Sequence, residues 1–209
     1  MVSHYEFLAS LHELLQPRGY LEIGVQTGAS LALANCPAVG VDPQPWVGSG
    51  NGKTIFEMTS DEFFSRPRDL GLQVDLVYID GMHLFEYALR DFIGCLFYAN
   101  SNTVIVIDDV LPYNEAIADR VQPPGDWTGD VWKLIDILGP EGDADTFMVD
   151  VSPTGALVVH NLHDDIASML HDCYNSIVEH WMNKPIPDWV LDRRHALTPD
   201  YALELLRNA

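Results

Sequence analysis

Four stretches of the chain are almost continuously apolar, and each carries an acidic residue at or near its end. They cover about 20–24, 38–42, 74–80 and 103–109. Runs of this kind are typical of parallel strands that are buried on both faces of a sheet. A further strand is predicted at 54–58, where β-branched and aromatic residues follow a loop rich in glycine.

Apolar residues at helical spacing separate these strands. They predict helices over about 3–15, from the glycine loop to about 35, from 59, after 83, over 130–138 and over 164–182. This alternation predicts an α/β fold with a doubly wound, mostly parallel sheet. Near the end of the chain, strands at 146–151 and 156–160 flank a short turn and predict an antiparallel hairpin, which makes seven strands.

The chain has 209 residues, which fits one domain with a full core. We expect an N-terminal helix in 1–18, a core sheet in 19–160 and a C-terminal helical cover in 161–209. The segment from Pro112 to Gly129 is long, polar and without periodicity, and such segments often form active-site lids.

The charge is strongly acidic, with 31 Asp and Glu against 11 Lys and Arg and a formal net charge of −20. This composition disfavours nucleic acid and an anionic membrane as partners, because both are bound through clustered Lys and Arg. The three cysteines lack metal-site or disulfide spacing, and neither a signal peptide nor a membrane-spanning stretch is evident. We expect a cytoplasmic protein with a small-molecule partner, and the sequence leaves homo-oligomerisation open.

A glycine-rich turn follows the first strand in the pattern E-x-G-x-x-x-G-x-S, formed by Glu22, Gly24, Gly28 and Ser30. Gln26 stands where a dinucleotide-binding fingerprint has its second glycine. A carboxylate at Glu22 would repel a pyrophosphate but suits a ligand with an amino group. Glycines at such a turn allow close approach of backbone and ligand.

Asp42 ends the second strand, 20 residues after Glu22 (42 − 22). An acid at this place in a nucleoside-binding α/β sheet accepts hydrogen bonds from ribose hydroxyls. The stretch from Gly48 to Thr54 looks like a P-loop but has Val47 where the first glycine is required, and it leads into a strand instead of a helix. A nucleotide hydrolase built on this stretch is therefore the weaker alternative.

Three carboxylates follow two neighbouring strands: Asp80 closes one strand, and Asp108 and Asp109 close the next. Adjacent strands lie about 4.8 Å apart, so these acids would repel one another unless a cation lies between them. Oxygen ligands favour Mg²⁺, Ca²⁺ or Mn²⁺. The sequence predicts a divalent-cation site, with Mg²⁺ preferred, at Asp80, Asp108 and Asp109.

The glycine motif resembles the first motif of class I S-adenosylmethionine-dependent methyltransferases. The resemblance implies that the loop passes under the methionine part of the cofactor and that Asp42 holds its ribose. It further implies that the start of the third helix-forming segment faces the adenine. The cofactor-binding residues implied are Glu22, Gly24, Thr27, Gly28, Ser30, Asp42, Ser60, Asp61 and Asp80. For Ser60 and Asp61, a plain helix cap is the alternative.

The carboxylates resemble those of metal-dependent O-methyltransferases of the catechol and caffeoyl-coenzyme A types. Those families have a lysine base three residues after the first Asp, whereas this chain has His83. The D-G-x-H and I-D-D sequences are closer to a group of small bacterial methyltransferases. The resemblance implies that His83 or Asp80 is the base, although His83 could also be a capping or core residue. Trp127 could stack on the acceptor or simply pack.

These observations predict methyl transfer from S-adenosylmethionine to a hydroxyl of a small molecule (a sugar, natural product or phenol), with a divalent cation. The alternatives are the nucleotide hydrolase and a catalytically silent domain that binds the cofactor only.

Overall fold

The computed structural model describes residues 1–66, 69–139, 145–163 and 165–209. The helices are α1 His4–Leu15, α2 Ser60–Phe64, α3 Phe85–Leu96, α4 Leu134–Ile137, α5 Ile166–Trp181, α6 Asp188–Leu191 and α7 Pro199–Asn208. The strands are β1 Tyr20–Ile23, β2 Ala38–Asp42, β3 Lys53–Glu57, β4 Leu76–Ile79, β5 Val104–Asp108, β6 Asp145–Val149 and β7 Ala156–His160.

The strands form one seven-stranded sheet in the order β3-β2-β1-β4-β5-β7-β6. β1 to β5 run parallel, whereas β7 pairs antiparallel with both β5 and β6. The predicted doubly wound sheet and its antiparallel hairpin are confirmed. The strand order reverses between β1 and β4, and ligands of open α/β sheets bind outside the carboxyl ends of the strands at such a switch point.

Both faces of the sheet are covered, which explains why its central strands are apolar throughout. On one face, Phe7 and Leu11 of α1 and Leu206 of α7 pack against the sheet. On the other face, Phe92 of α3 and Leu170 of α5 belong to a second cluster. Successive residues of each parallel strand point into opposite layers, so a polar side chain has no solvated face until the strand ends.

Some predicted elements differ from the observed ones. The helix expected after the glycine loop is only a short 3₁₀ turn, Leu31–Leu33. The predicted start of the long C-terminal helix, Asp164, lies outside the described residues, and the observed helix begins at Ile166. Among the described helices, none combines the length and apolar composition needed to cross a bilayer.

Candidate active site

A cleft of about 870 Å³ opens at the carboxyl ends of the parallel strands. Its wall includes the loop after β1, the end of β2, the start of α2 and the residues after β4 and β5. The volume is in the range of small-molecule and cofactor sites. Of the predicted site residues, the cleft wall brings together Gly24, Thr27, Ser30, Asp42, Ser60, Asp61, Asp80, His83, Asp108 and Asp109.

The two glycines of the loop are required by neighbouring protein atoms. A Cβ at Gly24 would lie 1.8 Å from the carbonyl oxygen of Asp80, and its φ is +89°. A Cβ at Gly28 would lie 2.7 Å from a side-chain carbon of Val47, and its φ is +76°. The prediction that these positions are glycine to admit a ligand is therefore corrected, since the close approach is to the chain itself. Gly28 does not line the cleft.

Glu22 lies behind the loop and not in the wall of the cleft. Its side chain is fully buried, and it accepts hydrogen bonds from Tyr20 Oη at 2.6 Å and Ser30 Oγ at 2.8 Å. Burial raises the pKa of this carboxyl to about 8. The predicted contact between Glu22 and the amino group of a ligand is not formed by this arrangement. Glu22 instead ties β1 to the far end of the loop through Ser30.

Asp42 braces the same loop from the end of β2. Its Oδ2 accepts hydrogen bonds from the backbone N–H groups of Val25 and Gln26, both at 2.8 Å, and its Oδ1 accepts one from Gln44 N at 2.7 Å. Gln26 has a φ of +41°, which is unusual for a residue with a side chain. The two amides held by Asp42 stabilise this loop conformation. The carboxylate also lines the cleft, where the resemblance places a ribose.

The start of α2 combines a helix cap with a position at the cleft. Thr59 is the N-cap, with its hydroxyl accepting from Glu62 N and Glu62 reaching back to Thr59 N. Ser60 and Asp61, the first residues of the helix, line the cleft. Asp61 is half exposed and accepts a hydrogen bond from Arg90 at 2.9 Å. Thr59 satisfies the helix end, which leaves the Ser60 side chain available for another role.

Behind Ser60 lies a buried carboxylate that the sequence analysis missed. Asp91 of α3 is 2% exposed, yet it lines the cleft. Burial raises its pKa to about 7, and a hydrogen bond from Ser60 opposes that shift. A lone Asp within an amphipathic helix carried no signal of its own. Only the packing of α3 against α2 brings Asp91 to Ser60.

Asp80, His83 and Asp109 converge on the far side of the cleft. One possible ligand atom from each lies within 4.8 Å of the other two. His83 Nε2 is 3.5 Å from Asp80 Oδ1, and His83 Nδ1 is 3.1 Å from Asp109 Oδ2. Asp109 has a φ of +66°, a strained conformation that places its carboxylate here, directly after β5. Two carboxylates and one imidazole form a set of residues that could hold a divalent cation.

His83 is protonated in this arrangement. Burial alone would lower its pKa, but Asp80, Asp109 and the Trp127 carbonyl together raise it to about 9. Its Nδ1 donates to the Trp127 carbonyl oxygen at 2.6 Å. Metal-bound histidines commonly donate one ring N–H to a carbonyl in this way, which leaves the other nitrogen for the metal. As an imidazolium, His83 cannot accept a proton, whereas a cation beside the same carboxylates would favour its neutral form.

Asp108 lies outside this group of three, although it was predicted as a metal ligand with Asp80 and Asp109. Its carboxylate accepts hydrogen bonds from the Tyr78 hydroxyl and, at 2.9 Å, from Asp109 N. It is 6% exposed, and burial, followed by the charge of Asp80, raises its pKa to about 6. His83 thus takes the place that the sequence analysis gave to Asp108, because Tyr78 holds the Asp108 carboxylate on the other side.

The segment 112–129, predicted as a lid, is fixed against His83. Thr128 N and Gly129 N both donate to Ile117 O, at 2.9 and 3.0 Å. The Trp127 ring stacks on the His83 ring with centroids 5.2 Å apart. A Cβ at Gly129 would lie 1.6 Å from His83 O, so the two loops are in close contact. Trp127 both packs on His83 and lines the cleft.

Asp130 fixes the other end of this contact. Its Oδ1 accepts from Phe85 N at 3.0 Å, at the start of α3. Its Oδ2 accepts from Arg120 and from Lys133, both at 2.7 Å. This ion-pair group joins the segment before Trp127, the residues after it and the helix that follows His83.

The N-terminal helix also reaches the site. His4 and Tyr5, at the start of α1, line the cleft, and His4 Nδ1 lies 3.2 Å from Ser152 O. The sequence analysis treated this helix as a packing or lid element, and its apolar face gave no sign of which polar residues meet the site.

With this geometry established, the chain can be compared with known proteins. Residues 21–110 match the model of a family described as a methyltransferase domain. This region contains the glycine loop, Asp42 and all three metal-ligand candidates. The predicted resemblance to class I methyltransferases is confirmed by this match and by the fold. No curated protein sequence matched the chain.

Solved structures share the fold at low sequence identity. Rv0187 from MTB, determined with bound cofactor, is 19% identical with a TM-score of 0.61, covering 78% of this chain and 83% of that one. TomG from Streptomyces achromogenes, an O-methyltransferase of tomaymycin synthesis in complex with SAM, is 16% identical with a TM-score of 0.54, covering 76% and 79%. The O-methyltransferase from Bacillus cereus in complex with SAH is 17% identical with a TM-score of 0.51, covering 77% and 82%.

Proposed function

We propose that this protein transfers the methyl group of S-adenosylmethionine to a hydroxyl of a small molecule, assisted by a divalent cation. One observation carries the proposal: the braced glycine loop and the group of Asp80, His83 and Asp109 face the same cleft of about 870 Å³. The methyltransferase-domain match and the cofactor-bound structures that share the fold support the choice of cofactor.

The residues of the cleft fit the cofactor in segments. The loop from Gly24 to Ser30 would hold its methionine part, Asp42 its ribose, and Ser60 with Asp61 its adenine. The bracing by Asp42 fixes the loop before any ligand arrives, so little ordering cost remains for binding. Asp80 joins the two halves of the site because it follows β4, next to Gly24.

The donor set also fits a hard cation. Asp80 and Asp109 supply carboxylate oxygens, and His83 supplies Nε2 once its Nδ1–H is held by the Trp127 carbonyl. When bound there, a divalent cation would lower the pKa of an acceptor hydroxyl and make it nucleophilic near neutral pH.

In the transfer, the bond from the hydroxyl oxygen to the methyl carbon forms as the carbon–sulfur bond breaks, and the sulfonium becomes a neutral thioether. The hydroxyl proton passes to His83 Nε2 or to Asp80, which are the two candidate bases. Catalysis rests mainly on holding the reacting atoms in line, and Trp127 and Asp130 contribute by fixing His83.

Isothermal titration calorimetry with S-adenosylmethionine, followed by methyl transfer to a panel of hydroxylated compounds with and without Mg²⁺ or Mn²⁺, tests the proposal. We expect Asp109→Asn to retain cofactor binding and lose cation-dependent turnover. Asp172→Asn, on the exposed surface of α5, is the matched control and should behave as the wild type.

Other outcomes would favour the alternatives. Cofactor binding without turnover on any acceptor would support a catalytically silent domain. Binding of ATP in place of S-adenosylmethionine would support the hydrolase. The structure gives that alternative little basis, because Lys53 begins a strand and donates to Ala34 O instead of opening a helix.

A further inference from the structure

The cleft contains many acidic side chains and no basic one apart from histidine. Seven aspartates are among the residues of its wall, and no Lys or Arg is among them in the described part of the chain. An anionic acceptor in this cleft would therefore meet carboxylates with no cation to balance its charge. Like charges placed together without compensation select against a ligand.

The basic residues nearest the cleft are already paired. Arg90 binds Asp61, and Arg120 binds Glu86 and Asp130. Recruiting either one to an anionic acceptor would break an existing ion pair.

Most of the aspartates already have a role in the arrangement described above. Asp42 accepts three backbone N–H groups, and Asp108 accepts the Tyr78 hydroxyl. Asp80 and Asp109 form the group with His83. These carboxylates offer nothing to the outer part of an acceptor.

Asp126 is different, because it stands in the cleft wall with no cation. It is exposed, and its Oδ2 accepts a hydrogen bond from Tyr113 Oη at 2.9 Å. Among the described residues, no Lys, Arg or His pairs with it, and its Oδ1 accepts no protein hydrogen bond. It directly precedes Trp127, which stacks on His83, so it belongs to the side of the cleft where the acceptor would lie.

We infer that the acceptor is an amine-bearing hydroxyl compound, whose ammonium group is bound by Asp126 beside the Trp127 ring. This inference rests on the proposed function, because it names the acceptor class of that same site. A carboxylate next to an aromatic ring is a suitable environment for an ammonium ion, which gains from both the charge and the ring. Acceptors carrying phosphate or carboxylate are excluded by the same wall.

Three catechols that differ only in side-chain charge test the inference: dopamine, 4-methylcatechol and 3,4-dihydroxyphenylacetate. Their binding to the full-length protein loaded with S-adenosylhomocysteine and Mg²⁺ is measured by calorimetry, and their methylation by product formation. We expect dopamine to bind at least about tenfold more tightly than the acid, with this preference falling as salt is added. Asp126→Asn should remove most of the preference, and Asp119→Asn, in the same segment but outside the cleft wall, should keep it.

The outcomes separate this inference from the proposed function. Equal binding of the three catechols, preference for the acid, or no binding of any of them would overturn the inference, provided that the cofactor still binds. A preference for dopamine that Asp126→Asn leaves unchanged would also overturn it. Failure of S-adenosylmethionine itself to bind would instead overturn the proposed function.

Discussion

The ion pair between Asp130 and Lys133 gives the sharpest stability prediction, because both side chains are only 2% exposed. Lys133 Nζ donates to Asp130 Oδ2 at 2.7 Å and to Met182 O at 3.1 Å, and lies 4.5 Å from the Phe85 ring centroid. Replacing Asp130 by Asn keeps an oxygen for Phe85 N but leaves the Lys133 charge buried with one carbonyl partner. Breaking a buried pair from one side costs about 3–5 kcal/mol.

The matched variant is Lys133→Met, which leaves Asp130 with Arg120 as its cation. Because one partner remains, we expect the loss to fall near the lower end, about 3 kcal/mol. In the double variant neither group is left unpaired, so the combined loss should be smaller than the sum of the two by at least about 2 kcal/mol.

Urea unfolding of the four proteins, followed by tryptophan fluorescence with checks for coincident transitions, supplies these free energies. A loss below about 1 kcal/mol for Asp130→Asn, or strictly additive losses in the double variant, would refute the reasoning. Such a result would mean that the pair is solvated and does not hold the start of α3 in place.

Three further predictions concern the cofactor side of the cleft and the N-terminal helix. Glu22→Gln should become more stable relative to the wild type as the pH rises from 5 to 9. The folded-state pKa of Glu22, about 8, lies above the model value of 4.5, so the folded wild type holds an extra proton that is lost across this window, at a cost of several kcal/mol. Parallel urea titrations at both pH values check this, and a pH-independent difference would contradict it. Gly24→Ala should lower the melting temperature by at least about 5 °C, measured by calorimetry, because its Cβ would lie 1.8 Å from Asp80 O; an unchanged melting temperature would show that the loop moves freely. His12 has two buried ring nitrogens without a partner, and burial lowers its pKa to about 4. The unfolded chain binds the extra proton between pH 4 and 6.5, so wild-type stability should fall as the pH drops through this window, and His12→Phe should reduce that fall in acid unfolding curves.

The sheet could be predicted in detail because its signals are local. An apolar run such as 103–107 has no polar face to solvate, so burial on both sides follows directly from the sequence. The acids that close β2, β4 and β5 were predicted to share one edge, and the structure places them in one cleft wall. Parallel pairing brings equivalent strand ends together whatever the intervening helices are.

The partners of individual side chains could not be predicted, because they depend on contacts across the sheet. Tyr78 holds Asp108 away from the other carboxylates, and nothing in the order of residues indicates that bond. Glu22 is taken behind the loop by Tyr20, a neighbour two residues away whose ring had been assigned only to the core. The roles of Asp91 and Tyr5 arise from helices whose apolar faces, and not their polar residues, produced the pattern.

The most direct test of the central claim is a crystal structure grown with S-adenosylhomocysteine and Mn²⁺, with anomalous scattering recorded to locate the metal. The account predicts the cofactor along the loop from Gly24 to Ser30, and an anomalous peak between the carboxylates of Asp80 and Asp109. An anomalous map without a peak there, or a cofactor bound elsewhere, would contradict it.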